Sequence, residues 1–271
     1  MASPAAVGGS LLGAGAIGVG SAYLAGAFEG SNNSEPSSLL LSKDSTFSTY
    51  TDSNVIGKIY GNYLVAPIGS QGEGTSATNN GEWWEWSYAR WKKDSKPQDN
   101  DLSAEFKGGG KVGSAFSDAS GSSTALNKVC EAVYKKNKSE ITSSGTSPDN
   151  QAKLKRDLFK YCSILGEVKV ISEVSEEDYK TNSSYGNSSE NAKKFIAVTG
   201  NDKFWEARNK EFYETSGDKS NSSATDNSKF KTEPNKNPKP NVRNICKNAY
   251  ESLTSDKTNY PETDVNKFCT L

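Results

Sequence analysis

Leu126-Asn127-Lys128-Val129-Cys130-Glu131-Ala132-Val133-Tyr134 carries the pattern that decides the fold. Its apolar positions 126, 129, 130 and 133 fall at i, i+3, i+4 and i+7, so a helix gathers them on one stripe with Cys130 inside it. Val242, Ile245, Cys246, Ala249 and Leu253 repeat the arrangement, and a tyrosine follows each cysteine by four residues, Tyr134 and Tyr250. Downstream, Leu154, Leu158, Cys162 and Leu165 form another stripe, while Thr263 to Cys269 offers a short C-terminal helix. Cysteine therefore sits on the apolar face of a helix four times.

Outward from these helices the landmarks keep one order. Tyr63-Leu64-Val65-Ala66-Pro67-Ile68-Gly69, Trp86 with Arg90, Cys130 and Tyr161-Cys162 come first. Phe195-Ile196-Ala197-Val198-Thr199-Gly200, Trp205 with Arg208, Cys246 and Phe268-Cys269 then repeat them. The offset between copies drifts from 119 at Trp86/Trp205 to 116 at Cys130/Cys246 and 107 at Cys162/Cys269, as loop-length changes between fixed landmarks produce. The reading is a duplication, with Trp86 and Trp205 as equivalent core residues. Two cysteines per copy suggest Cys130–Cys162 and Cys246–Cys269 bridges. Four cysteines permit three pairings, and only the repeat selects among them. Four reduced thiols buried as small hydrophobes is the alternative. Glu167 to Val174 alternates and reads as a short strand, with Tyr63 to Ile68 as its counterpart, and Asp202 is placed to cap the helix carrying Trp205.

Glu82-Trp83-Trp84-Glu85-Trp86-Ser87-Tyr88-Ala89-Arg90-Trp91 holds four of the five tryptophans. Trp83, Trp84 and Trp91 lack equivalents in the second copy, so they are candidates for a contact patch, for cover over the neighbouring copy, or for a position near a membrane interface.

Only 33% of the 271 residues are hydrophobic, much of that in the first 28, while 39 Ser and 24 Asn favour turns and long polar loops. Lys plus Arg is 32 against 33 Asp plus Glu, without the basic surplus that binding a nucleic acid through its phosphates requires. Histidine is absent, which excludes His-dependent triads and the usual zinc sites within this chain. Lys107 to Ser114 is glycine-rich but lacks phosphate-loop spacing, and Glu176, Glu177 and Asp178 read as a solvated run rather than an acid/base pair. No catalytic residue, metal ligand or cofactor is assigned.

From Met1 to Phe28 there is no charged side chain. Residues 5–28 would span about 36 Å as a helix, enough to cross a bilayer core. Small residues recur four apart at Gly9/Gly13, Ala14/Gly18, Ala16/Gly20 and Ala22/Gly26, a spacing that lets membrane helices pack together and oligomerise. A cleaved signal ending near Ala25-Gly26-Ala27 is the alternative. If the bridges form, the body occupies an oxidising space outside the cell.

The uncharged Gly/Ala-rich start, Trp86, Cys130, Tyr161-Cys162, Trp205, Cys246 and Phe268-Cys269-Thr270 together resemble the large lineage-specific paralogous families of haemotropic mycoplasmas, wall-less bacteria that live on red blood cells. Tyr161 and Phe268 stand where those families more often have Trp. The resemblance implies a surface location and a role in antigenic variation or host contact, and it transfers no catalytic residue.

The sequence therefore predicts a mainly α protein: an N-terminal membrane helix, then two small tandem disulfide-stapled helical modules with at most short strands and long polar loops. The divisions are 1–29 anchor, 30–54 Ser/Asn-rich stalk, 55–166 module 1 and 167–271 module 2. The expected protein is single-pass in the cell membrane with an extracellular body, contacts a host surface protein or glycan, and binds no nucleic acid. A secreted or anchored hydrolase, or an enzyme accessory without a recognisable motif, is the other functional class.

Overall fold

The computed structural model describes residues 34–72, 78–95, 101–142 and 149–271, so the membrane segment expected at 5–28 lies outside the described residues. Among the described residues no helix is long and apolar enough to cross a membrane, and the helices are joined by loops and isolated bridges without a strand. The chain divides into two compact units, one built from residues up to 99 with 107–137, the other from 100–106 with 138–271.

The first unit contains α1 (Ile56–Tyr60), α2 (Gly81–Asp94) and α3 (Leu126–Tyr134). On α3 the predicted stripe is buried: Leu126, Val129, Cys130, Val133 and Tyr134 all face the core. The last turn of α2 carries Lys92 and Lys93, cations suited to the negative end of the helix dipole. Residues 39–50, expected in a stalk, belong to this unit instead. Leu40, Leu41 and Tyr50 are buried, and Leu40 bridges Val65, with Leu41 N–H donating to the Leu64 carbonyl at 2.8 Å and Ala66 N–H to the Leu39 carbonyl at 2.9 Å. Three consecutive leucines, Leu39 to Leu41, supply apolar surface that a Ser/Thr-rich surrounding conceals.

The second unit contains α4 (Asn150–Cys162), α5 (Ser189–Ala192), α6 (Asp202–Phe212), α7 (Lys229–Thr232), α8 (Val242–Glu251) and α9 (Glu262–Phe268). Helices α4 and α8 start on side-chain caps, Asp149 accepting from Ala152 N–H and Asn241 from Arg243 N–H. Asp202 does not cap α6. It is the first helical residue, and its carboxylate pairs with Arg243 at 2.7 Å. The strand expected over 167–174 is a single bridge, Val170 to Ile196, followed by a 3-10 turn at Ile171–Glu173. Ile171 N–H donates to the Phe195 carbonyl and Ala197 N–H to the Lys169 carbonyl, each at 3.0 Å.

Pairing at 169–171 with 195–197 has the same hydrogen-bond pattern as pairing at 39–41 with 64–66. The counterpart of Lys169–Ile171 is therefore Leu39–Leu41, and Tyr63 to Ile68 matches residues 194–199 instead.

Candidate functional site

Each unit builds the same polar node beside its bridge. In the first, Asn80 sits just before α2 and is buried; its Oδ1 accepts from Leu39 N–H at 2.8 Å, and its Nδ2 donates to the Leu39 and Ala66 carbonyls at 2.9 and 2.8 Å. In the second, Asn201 does the same for Lys169 N–H and the Lys169 and Ala197 carbonyls, at 2.9, 2.9 and 2.8 Å. An indole N–H reaches the same alanine carbonyl in both, Trp84 to Ala66 and Trp205 to Ala197. A buried phenol completes the node, Tyr134 donating to the Val65 carbonyl and Tyr250 to the Ile196 carbonyl, each at 2.9 Å. Burial pushes both phenols well above the ordinary tyrosine range, so they remain neutral donors.

This node corrects the correspondence of the tryptophans. Trp84, four residues after Asn80, matches Trp205, four after Asn201. Trp83 and Trp84 meet edge-on at 4.9 Å and 89°, as Phe204 and Trp205 do at 4.9 Å and 78°. In that register Ser87 answers to Arg208, and both are fully buried. The Trp–Arg spacing misaligned the helices by two residues; the Asn-x-x-x-Trp spacing was the signal in the sequence that fixes them.

Trp83 and Trp84 have no exposed surface and Trp91 has 4%, so these three are core and do not form a contact patch. Their burial follows from α2 lying over the bridge: Trp83 Nε1 donates to Glu35, and Trp91 stacks on Tyr88 at 5.4 Å. Trp86, read from sequence as core, is the half-buried one, with the Arg90 guanidinium 4.5 Å from its ring centroid.

All four cysteines are bonded and buried. Cys246 and Cys269 join across 23 residues, Cys130 and Cys162 are also disulfide-bonded, and no free cysteine is present. Arg208 closes the end of α9, its Nη1 donating to the Lys267 and Phe268 carbonyls at 3.1 and 3.2 Å while Nε lies 3.2 Å from Glu211.

The second unit also holds an open, polar cleft of about 300 Å³, lined by Glu176, Glu177, Asp178, Tyr179, Lys247 and Glu251 among others. Here the structure gathers the three acids of the polar run. Glu177 accepts from the Tyr179 hydroxyl at 3.0 Å and from Thr199 N–H, which ties the 176–179 segment to the 198–199 segment. Burial, then the charge of Glu177, raises the Tyr179 phenol far above its usual range, so it stays protonated and acts as a brace rather than a base. Among the described residues no group of three or more Cys, Asp or Glu side chains is arranged to hold a metal ion.

No family model matches the chain, and neither the curated proteins nor the solved structures contain a match to it.

Proposed function

We propose that this is a membrane-anchored surface protein, held by residues 5–28, whose extracellular body is two tandem helical modules that serve host contact or antigenic variation. The first module begins at Leu39, each module carries one Asn–Trp–Tyr node, and all four cysteines of the body are bonded. The observation that carries the reading is the complete bonding of four buried cysteines, because disulfides persist in oxidising spaces and are rare in the cytosol. The recurring node supports the duplication, and the resemblance to haemotropic mycoplasma surface families supports the host-facing role. The partner is a host surface protein or glycan. Small residues spaced along 5–28 give a route to oligomers within the bilayer.

Protease shaving of intact cells tests this directly. Release of body peptides, with Cys246–Cys269 recovered intact by non-reducing mass mapping, is the expected result. A body protected until the cells are lysed, or four alkylatable thiols, overturns it.

A further inference from the structure

Lys231 and Lys267 hold one short turn, Asn221–Ser223, and Lys219, two residues before it, reaches the main chain of Lys267. Lys231 Nζ donates to the Ser222 carbonyl at 2.6 Å, and Lys267 Nζ donates to the Ser223 carbonyl at 2.9 Å with the Ser223 hydroxyl at 3.5 Å. Lys219 Nζ donates to the Lys267 carbonyl at 2.7 Å, the same oxygen that accepts from Arg208 at 3.1 Å. Arg208 has Glu211 as its ion-pair partner, whereas these three lysines are held by main-chain carbonyls and a serine hydroxyl.

A carbonyl dipole orients an ammonium without neutralising it, so positive charge accumulates at the turn. Lys219 registers the cost: burial, then the charge of Arg208, pushes its amine down to about 8, with Lys267 adding to the effect and Asp218 and Glu211 offsetting part of it. Each ammonium has three donors and spends one or two on its tether, and each lysine remains partly exposed. The tethers also fix the long side chains in advance, which removes much of the ordering cost that flexible lysines meet on binding. The whole chain is nearly neutral at −1, so this focus is local and not the general stickiness of a basic protein.

The geometry points to a binding site for the sulfate groups of a sulfated polysaccharide at Lys219, Lys231 and Lys267. Three ammonium point charges tethered around this one turn suit a tetrahedral oxyanion through charge-assisted hydrogen bonds. The turn is an open surface, which suits one segment of a long polymer. This inference rests on the extracellular placement of the body proposed above.

The test uses the full chain in detergent, titrated with heparin oligosaccharide by calorimetry. Binding should weaken as salt rises, and the triple variant K219Q/K231Q/K267Q should lose roughly tenfold or more in affinity and about one unit of salt slope per lysine. The triple K43Q/K111Q/K210Q, at exposed lysines elsewhere, should change it by less than about twofold. Because removal of Lys219 also removes a tether on α9, a second readout uses the native protein. Amine acylation near pH 8 should label Lys219 readily, and heparin oligosaccharide should protect it where the desulfated oligosaccharide does not. Equal protection by both, equal loss in the two triples, or binding to anionic phospholipid vesicles without binding to heparin overturns the site. Location is read separately: heparin binding with a protease-protected body sinks only the extracellular reading, and an exposed body without heparin binding sinks only this site.

Discussion

The Asn80 side chain takes the place of a neighbouring strand for Leu39, accepting from its N–H at 2.8 Å and donating to its carbonyl at 2.9 Å. One amide also holds the buried Ala66 carbonyl, so three backbone groups, one of them fully buried, depend on it. Asn80→Ala should therefore destabilise the first unit by about 3 kcal/mol, since each orphaned buried group costs on the order of 1 kcal/mol or more. Asn201→Ala should do the same to the second. Urea denaturation of each variant checks this, and a loss below about 1 kcal/mol in either would mean that water replaces the amide.

Gly69 and Gly200 end the two apolar runs with φ of +65° and +75°. A Cβ on Gly69 would lie 2.2 Å from Asn80 Nδ2, whereas one on Gly200 meets nothing within 4 Å. Both alanine variants carry the left-handed cost of about 1 kcal/mol, but Gly69→Ala also displaces the amide node. Its denaturation midpoint should fall clearly further than that of Gly200→Ala.

Of the five tryptophans only Trp86 retains substantial exposure. Acrylamide should quench mainly its fluorescence, and Trp86→Phe should remove most of the accessible fraction. Trp84→Ala should cost about 4 kcal/mol through its cavity and lost indole bond, against about 1 kcal/mol or less for Trp86→Ala.

Reduction of Cys246–Cys269 should be slow in the native protein, because neither sulfur-bearing residue has exposed surface. Thiol release under dithiothreitol should track global unfolding and accelerate in urea. The double variant C246A/C269A should lose about 3 kcal/mol, the scale set by closing a loop of this length.

Lys219 gives the second unit a pH dependence with a defined sign. Its amine titrates at about 8 when folded and at 10.5 when unfolded, so between these values the unfolded chain binds more protons and stability rises with pH. The rise should reach on the order of 1 kcal/mol between pH 8 and 9, above which the tyrosines kept protonated in the fold ionise in the unfolded chain and reverse it. Between pH 8 and 9 the denaturation midpoint of the natural chain should gain on that of Lys219→Met.

The helical stripes around Cys130, Cys162 and Cys246 were legible because burial and 3.6-residue periodicity act together there, whereas Leu253, assigned to the last stripe, lies beyond α8 and is exposed. Which tryptophan of α2 matches Trp205 is not legible in composition, because α2 offers four tryptophans around the single Arg90 and nothing in their type ranks them. The Asn80 node was hidden for a different reason. A polar side chain that completes a one-residue bridge leaves no alternating pattern, and in a chain with 24 asparagines a single buried one does not stand out. Residues 39–50 were hidden by their serines and threonines, which here build 3-10 turns, the second capped by Asp44 with the Ser48 and Thr49 hydroxyls donating back to main-chain carbonyls, rather than solvate a spacer.

Gly200 and Asn201 are adjacent, whereas Gly69 and Asn80 are separated by ten residues, yet the two amides make the same three bonds. In the longer version Gln71 and Thr78 pair with each other, so the added length closes on itself before the chain returns to the node. The cost of lengthening a closed loop grows only with the logarithm of its length. The clasp between glycine and asparagine thus closes with either no residue or ten between them: the segment above it changes length while the scaffold beneath keeps its register.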